Sequence, residues 1–186
     1  MSNFPIHTIE SAPAASRPVL EAVQAGLGAV PNLFGAFASS PAILKAYTSL
    51  SKLQDEETAF NETERQVLFL SISAENGCGY CVAAHTTISG MKGVDVAVVD
   101  AVRDGRKLED ARLEALRTFA VAVVQNRGWA GDELEAFLAA GFEAQHALEV
   151  VLAVAFKTLS NFTTHLSGIE VDGMFAKAAW SKPAAV

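Results

Sequence analysis

The run Asn61-Glu62-Thr63-Glu64-Arg65-Gln66-Val67-Leu68-Phe69-Leu70-Ser71-Ile72-Ser73-Ala74-Glu75-Asn76-Gly77-Cys78-Gly79-Tyr80-Cys81-Val82-Ala83-Ala84-His85 decides how this chain folds. Asn61 is a good helix N-cap, and Glu64 three residues later completes a capping box. The helix so capped carries Val67, Leu68, Leu70, Ser71, Ile72 and Ala74. Asn76-Gly77 ends that helix. A second helix begins near Cys78 and stops at Gly90, and it carries both cysteines of the protein. On a helix Cys78, Cys81 and His85 stand at i, i+3 and i+7, on one stripe. Two thiols one turn apart can form a disulfide, and an imidazole one turn further can take or give a proton.

Outward from this run the chain reads as helix in both directions. Between Pro41 and Pro183 there is no proline, and Ala, Leu, Glu and Val recur at helical spacing. Ser16 before Arg17-Pro18 opens a short helix that ends at Gly26. Pro31 starts a second at its first turn, and Ser40-Pro41 opens a third to about Leu53. Residues 95–102 form a short helix and 109–125 a long one, with Leu113, Leu116, Phe119, Ala120 and Val123 on one face. Gly131-Asp132 caps 133–140, residues 143–166 form the longest helix, and Val171-Asp172 opens a last short one around 174–179. The predicted fold class is all-α, a helical bundle in a single domain over residues 1–186. Cys81-x-x-x-His85 and Asn161-x-x-x-His165 each end an apolar helical segment, which suggests a pseudo-repeat of two helical hairpins.

The bulk numbers exclude several functions. Of 186 residues 51% are hydrophobic and 19% charged, with a net charge of −7. A chain this long and apolar buries a sizeable core. No run of Lys or Arg exists, which argues against nucleic acid and against an anionic membrane surface. No apolar stretch reaches the roughly 18–20 residues of a membrane span; the best candidate, 147–156, is interrupted by Glu149 and followed by Lys157. Met1-Ser2-Asn3-Phe4-Pro5 has neither the basic nor the apolar region of a signal peptide. The expected location is the cytoplasm, where a CxxC pair points to redox or metal chemistry rather than a structural staple.

The chemistry of the pair follows from its place on the helix. The glycine break puts Cys78 in a first turn, where unpaired amides and the helix dipole favour an anion. A thiolate there can attack a peroxide oxygen or a disulfide sulfur. His85 faces Cys81 at i, i+4, within reach for proton transfer. A neighbouring thiol limits over-oxidation, because a sulfenate condenses with it. Two alternatives stand beside this: buried cysteines acting as small hydrophobes, and a zinc site on Cys78, Cys81 and His85. No second CxxC or HxxxH completes a zinc set, so no metal is expected.

Residues 73–86, Ser73-Ala74-Glu75-Asn76-Gly77-Cys78-Gly79-Tyr80-Cys81-Val82-Ala83-Ala84-His85-Thr86, resemble the AhpD-like alkylhydroperoxidase branch of the carboxymuconolactone decarboxylase superfamily. Val30-Pro31-Asn32-Leu33-Phe34 and Leu159-Ser160-Asn161-Phe162-Thr163-Thr164-His165 are similar to flanking motifs of its peroxidase-related members. The resemblance covers about residues 15–178. It implies an AhpD-like helical bundle that assembles as a homo-oligomer (dimer, trimer or hexamer). It also implies reduction of a hydroperoxide by the paired cysteines. Cys81 maps to the peroxidatic position, Cys78 to the resolving one and His85 to a proton relay. No prosthetic group is implied, only a redox-active Cys78–Cys81 disulfide reduced by an external thiol protein or small dithiol.

Two positions depart from the family pattern. Its relay glutamate, twelve residues before the first cysteine, is Gln66 here, and an amide cannot act as a carboxylate base. Glu75 is the nearest substitute, pointing either at the thiols or into solvent at the helix end; Glu64 is accounted for by the capping box. Tyr80 stands between the cysteines where AhpD has a histidine, and can shape the pocket or orient a water. Asn161 and His165 are further candidates for the pocket or an interface. His7 and His146 lack a supporting constellation, and Trp129 after Asn126-Arg127-Gly128 reads as a packing anchor. The leading expectation is a thiol-dependent peroxidase. The alternatives are a redox sensor or assembly protein switched by the CxxC disulfide, and a decarboxylase-type lyase.

Overall fold

The computed structural model describes residues 4–183; Met1, Ser2 and Asn3 of the chain start lie outside them. In chain order the helices are α1 (Arg17–Leu27), α2 (Asn32–Phe37), α3 (Pro41–Glu56), α4 (Glu62–Glu75), α5 (Gly79–Met91), α6 (Val96–Arg103), α7 (Ala111–Gln125), α8 (Gly131–Ala139) and α9 (Ala144–Ser167), with a 3-10 turn at Ala176–Ala178. There is no strand among the described residues, so the fold is all-α. No helix among them is long and apolar enough to cross a membrane.

The bundle is built around α4. Its capping box forms as the sequence dictates: Asn61 Oδ1 accepts from the Glu64 amide, and Glu64 Oε2 accepts from the Asn61 amide, each at 3.0 Å. Every residue from Glu64 to Ser73 is buried, because α5, α6, α7 and α9 enclose the helix. Charges inside this shell are paired, as burial requires. Glu64 also accepts from Arg112 Nε at 2.8 Å, and the Arg112 guanidinium lies 3.6 Å over the Phe142 ring. The apolar core continues through Leu20, Phe37, Leu44, Leu68, Leu70, Ile72, Leu116 and Phe137.

The turn between α4 and α5 aims the cysteines. The Gly77 amide donates to the Ala74 carbonyl (3.0 Å) and the Cys78 amide to the Ser73 carbonyl (2.9 Å), the bond pair of a Schellman motif. The motif needs one left-handed residue, and Gly77 supplies it with φ +70°. Cys78, just past that turn, becomes the N-cap of α5. One motif therefore ends the buried helix and starts the reactive one.

Several boundaries differ from the sequence expectation. Gly26 lies inside α1, which ends at Gly28 (φ +76°). Ser16 gives no side-chain cap; its hydroxyl donates to the Ala38 carbonyl at 2.8 Å instead, tying α1 to the end of α2. The last predicted helix shrinks to the 3-10 turn. Trp129 is no packing anchor, being 86% exposed. The turn before it runs through left-handed Arg127 and Gly128 (φ +55° and +93°) and carries the ring outward. His146 does pack, between Phe60 and Phe142, and its Nδ1 accepts from the Glu143 amide at 3.1 Å.

Beyond α9 the chain folds back over the cysteines. Trp180 Nε1 donates to the Arg103 carbonyl, and Lys182 Nζ to the Glu75 carbonyl, each at 2.8 Å. The strap passes so close to α5 that a Cβ on Gly79 would stand 2.8 Å from the Trp180 carbonyl oxygen. The residue after Cys78 therefore has no room for a side chain.

Candidate active site

The thiols are buried free cysteines, with Cys78 1% and Cys81 2% exposed. As N-cap, Cys78 accepts at Sγ from the Cys81 amide at 3.3 Å. Thr164 Oγ1 lies 3.1 Å from the same sulfur and donates its own hydrogen to the Asn161 carbonyl at 2.8 Å. Cys81, one turn on, lies against a cavity of about 430 Å³ that also meets His85, Gln66 and Lys157. Phe34, Tyr47, Phe69 and Phe156 contribute aromatic walls, and the Tyr47 and Phe156 rings stack 4.6 Å apart.

The polar groups facing the thiols come from α9. Its buried residues are Val150, Ala153, Phe156, Lys157, Ser160, Asn161, Thr164 and Ser167. The spacing marks one core-facing stripe, yet its second half is polar. Lys157, Ser160, Asn161 and Thr164 thus occupy positions where an apolar side chain would ordinarily pack. Asn161 Oδ1 accepts from Asn76 Nδ2 at 2.9 Å, which fastens α9 to the end of α4.

Lys157 closes a hydrogen-bonded chain. Its Nζ donates to His85 Nε2 at 2.7 Å, His85 Nδ1 donates to Gln66 Oε1 at 3.0 Å, and Gln66 Nε2 donates to Glu62 Oε1 at 2.9 Å. The directions follow from what each group can do. A carboxylate only accepts, so the Gln66 amide nitrogen faces Glu62 and its oxygen faces His85. An oxygen without hydrogen forces the proton of His85 onto Nδ1, which leaves Nε2 as the acceptor for Lys157. The chain ends at a carboxylate, Glu62, one helical turn before Gln66.

Charge in this pocket is distributed by burial and by Lys157. Burial pushes the Cys81 thiol up; the Cys78 hydrogen bond, the Lys157 ammonium, Ser160 and Asn161 outweigh it and bring it down to about 6. Cys78 moves the other way, raised by its hydrogen bond to Cys81 and by burial. The pair therefore keeps its proton on Cys78 and its negative charge on Cys81. Burial, with the adjacent ammonium, holds His85 well below the ordinary histidine range, so the ring is neutral. Burial lowers Lys157, and the two thiols pull it back up. A buried ammonium is costly unless compensated. Here it has the Cys81 thiolate, His85 and the rings of Phe69 and Phe156, whose centres lie 5.7 and 5.5 Å away.

The other sequence candidates fall in different places. Tyr80 donates its hydroxyl hydrogen to Asp172, accepts from the Leu33 amide at 3.3 Å and lines the cavity. Glu75 faces Lys182 (3.6 Å) and lines a separate cavity of about 330 Å³, away from the thiol cavity. Asn161 is buried at the thiols, whereas His165 is exposed on α9 and stacks on Phe162. Lys157, Glu62, Ser160 and Thr164 were missed as site residues. Their signal was present: a lysine and three hydrogen-bonding residues on the core stripe of the longest helix, and a glutamate at i−4 from Gln66. Among the described residues no cluster of three or more His, Cys, Asp or Glu could hold a metal ion.

The carboxymuconolactone decarboxylase family model matches residues 41–122, which span α3 through most of α7 and include both cysteines and His85. Among solved structures the chain is similar to a Ralstonia eutropha JMP134 protein described as an alkylhydroperoxidase AhpD core and peroxidase-related. The identity is 26%, the match covers 94% of each chain, and the TM-score is 0.82. A peroxidase-related protein of Silicibacter sp. TM1040 is 20% identical over 93% of this chain and 92% of that one, with a TM-score of 0.77. The debrominase Bmp8 is 16% identical over 96% of each chain, with a TM-score of 0.81. A cysteine-to-alanine variant of the debrominase is known in complex with 2,3,4-tribromopyrrole. No curated protein matches the chain.

Proposed function

We propose a thiol-dependent peroxidase, and the premise is membership: the chain belongs to the AhpD-like carboxymuconolactone decarboxylase superfamily. The observation that carries the reading is a pair of free thiols one turn apart, with Cys81 on the wall of a cavity it shares with Lys157, whose ammonium draws Cys81 toward the thiolate. The Cys81 sulfur attacks the terminal oxygen of a hydroperoxide. An S–O bond forms, the O–O bond breaks, and two electrons pass from sulfur to peroxide. The products are Cys81 sulfenic acid and an alcohol, once the leaving oxygen has received a proton. The Cys78 thiol then attacks the sulfenic sulfur, its proton leaves with the hydroxyl as water, and the disulfide forms. An external dithiol reduces the disulfide by exchange. A protein that merely switches on the CxxC disulfide would not turn peroxide over repeatedly.

A second reading is reductive dehalogenation of an aromatic substrate, the activity in the name of the debrominase Bmp8. The aromatic walls beside Cys81 favour it. In that reaction the two thiols supply two electrons, the carbon–halogen bond becomes carbon–hydrogen, and halide leaves. One experiment separates the two readings. The protein is given cumene hydroperoxide or 2,3,4-tribromopyrrole with excess dithiol, and peroxide loss and bromide release are followed. The expected result is peroxide consumption that falls to background in Cys81→Ser. Equal turnover in that variant sinks the proposal, and bromide release without peroxide loss replaces it with the second reading.

A further inference from the structure

Within the peroxidase reading one proton is unaccounted for: the leaving oxygen must receive it, and His85 has none to give. The Nδ1 hydrogen of His85 is engaged by Gln66 Oε1. Gln66 cannot turn to release it, because its other amide atom is held by Glu62. The Nε2 of His85 carries a lone pair that already accepts from Lys157. A second proton on the ring would stand against an ammonium 2.7 Å away, inside the core. With a carboxylate at position 66 the ring could be charged and donate; with an amide it cannot.

Lys157 meets the requirements that His85 fails. It lines the same cavity as Cys81. Its ammonium has three hydrogens, of which His85 engages one. Among the described residues the ammonium has no hydrogen-bond partner besides His85, and the base nearest the other two hydrogens is the Cys81 thiolate that attacks the peroxide. The titratable groups near it are His85 and the thiols of Cys81 and the α5 N-cap Cys78; from α4 comes the Phe69 ring, while Gln66 and Glu62 reach it only through His85. From its own helix it meets Phe156 and Ser160, and from α3 comes Tyr47, whose phenol burial keeps un-ionised. We infer that Lys157, not His85, is the general acid of the reaction, and that His85, Gln66 and Glu62 are positioning residues that hold its ammonium beside the Cys81 sulfur.

The protons then balance over a cycle. The Cys81 thiolate attacks R–O–O–H, and Lys157 transfers one proton to the departing RO⁻. This leaves ROH, Cys81 sulfenic acid and a neutral amine. Disulfide formation with Cys78 releases water and no net proton. When an external dithiol reduces the disulfide, two protons arrive with the two electrons. One stays on Cys78 and the other passes from Cys81 to Lys157, which restores the thiolate–ammonium pair. The same residue is counter-ion before the step and acid during it.

The test compares two oxidants whose leaving groups differ in their need for a proton. tert-Butyl hydroperoxide expels a strongly basic alkoxide, whereas peracetic acid expels acetate, which leaves without protonation. Rates are measured for the wild type, Lys157→Met, Lys157→Arg and His85→Gln. Each is read at a pH where its own Cys81 is fully ionised, as judged by thiolate absorbance. Arg keeps the charge but does not release a proton. The expected result is a loss of about 10²–10⁴-fold on the alkyl hydroperoxide in both Lys157 variants. The loss on peracetic acid is far smaller, and His85→Gln, which loosens the ammonium without removing it, shifts the ratio of the two rates by less than either Lys157 variant. Equal losses on both oxidants overturn the assignment, as does a larger change of ratio in His85→Gln. A measurement on the wild type alone guards against variants that do not fold: a solvent deuterium isotope effect is expected on the alkyl hydroperoxide and not on the peracid. The same effect on both also overturns it. If the wild type consumes neither oxidant, the peroxidase reading itself fails and this assignment falls with it.

Discussion

At Cys81 burial and charge oppose each other, and charge wins. An isolated thiol this deep would stay protonated, yet the Cys78 hydrogen bond and the Lys157 ammonium bring it to about 6. The sign of the pH dependence follows. Below that value the sulfur is protonated and unreactive, and above it the thiolate is present. Alkylation by iodoacetamide is expected to rise through pH 6 and to level off by neutral pH. In Lys157→Met the midpoint moves upward, and each unit of movement corresponds to about 1.4 kcal/mol of lost thiolate stabilisation. A midpoint that stays near 6 in the variant removes Lys157 from the account. Gln66 offers a second check. Gln66→Glu places a new carboxylate against Glu62, where like charges repel. It also gives His85 an anionic neighbour, so the histidine ring is expected to titrate at higher pH, visible in its carbon-bound proton resonances. Glu62→Gln in the same chain should relieve the repulsion and keep the raised histidine. Little of this was legible residue by residue. The thiols and His85 announce themselves by spacing, but Lys157 sits in a run of apolar residues where a lysine reads as an interruption. Only the register of α9, with Val150, Ala153, Phe156 and Lys157 on one stripe, shows that the charge points inward.

Among the elements, the α4–α5 turn carries the most consequence for its size. Gly77 has open space around it, with only the Lys182 side chain at 4.0 Å, but its φ of +70° favours glycine. Gly77→Ala is expected to cost about 1–2 kcal/mol from backbone strain, read as a shift of the denaturant midpoint with an unchanged slope. It should also slow thiol chemistry, because the motif that ends α4 sets the cap that holds Cys78. Gly79→Ala tests a different cause at the next glycine, two residues on. Its φ is ordinary, and the obstacle is the Trp180 carbonyl, so that substitution should loosen the strap rather than strain the helix. The helices were legible because their ends are local: Asn61 with Glu64, Asp95 and Asp110 satisfy the first amides of their own helices. Gly26 misled because a glycine inside a helix is only weakly disfavoured; Gly28, two residues on, is the one that turns left-handed. The last turn misled because tertiary bonds from Trp180 and Lys182, rather than a helix of its own, hold that segment.

For the whole molecule, the question is how a reactive sulfur at the centre of a bundle meets other molecules. Cys81 lies on the cavity wall, whereas Cys78 lies under the strap and against Thr164, and lines neither the thiol cavity nor the one beside Glu75. The two thiols of one motif therefore have different routes to the outside. The strap's path was invisible in the sequence, because its partners Arg103, Glu75 and Gly79 lie 70 to 110 positions away along the chain. The aromatic walls were equally hidden, since Phe34, Tyr47, Phe69 and Phe156 belong to four helices that meet only in the fold. A small alkylating agent should reach Cys81 through the cavity and leave Cys78 unmodified, because Cys78 is both covered and protonated. A bulky aromatic disulfide reagent should react slowly with either. Trp180→Ala removes the bond to the Arg103 carbonyl and part of the cover. In that variant Cys78, uncovered but still holding its proton, should be labelled faster than in the wild type when both are read at alkaline pH, while the rate at Cys81 stays within about threefold of the wild type. Fragmentation mass spectrometry of the peptide holding both cysteines locates the label. If Cys78 is labelled first in the wild type, the cavity is not the route to the thiols. If Trp180→Ala leaves Cys78 protected, helix packing rather than the strap shields it, and in the proposed peroxidase a reductant enters through the same cavity as the substrate.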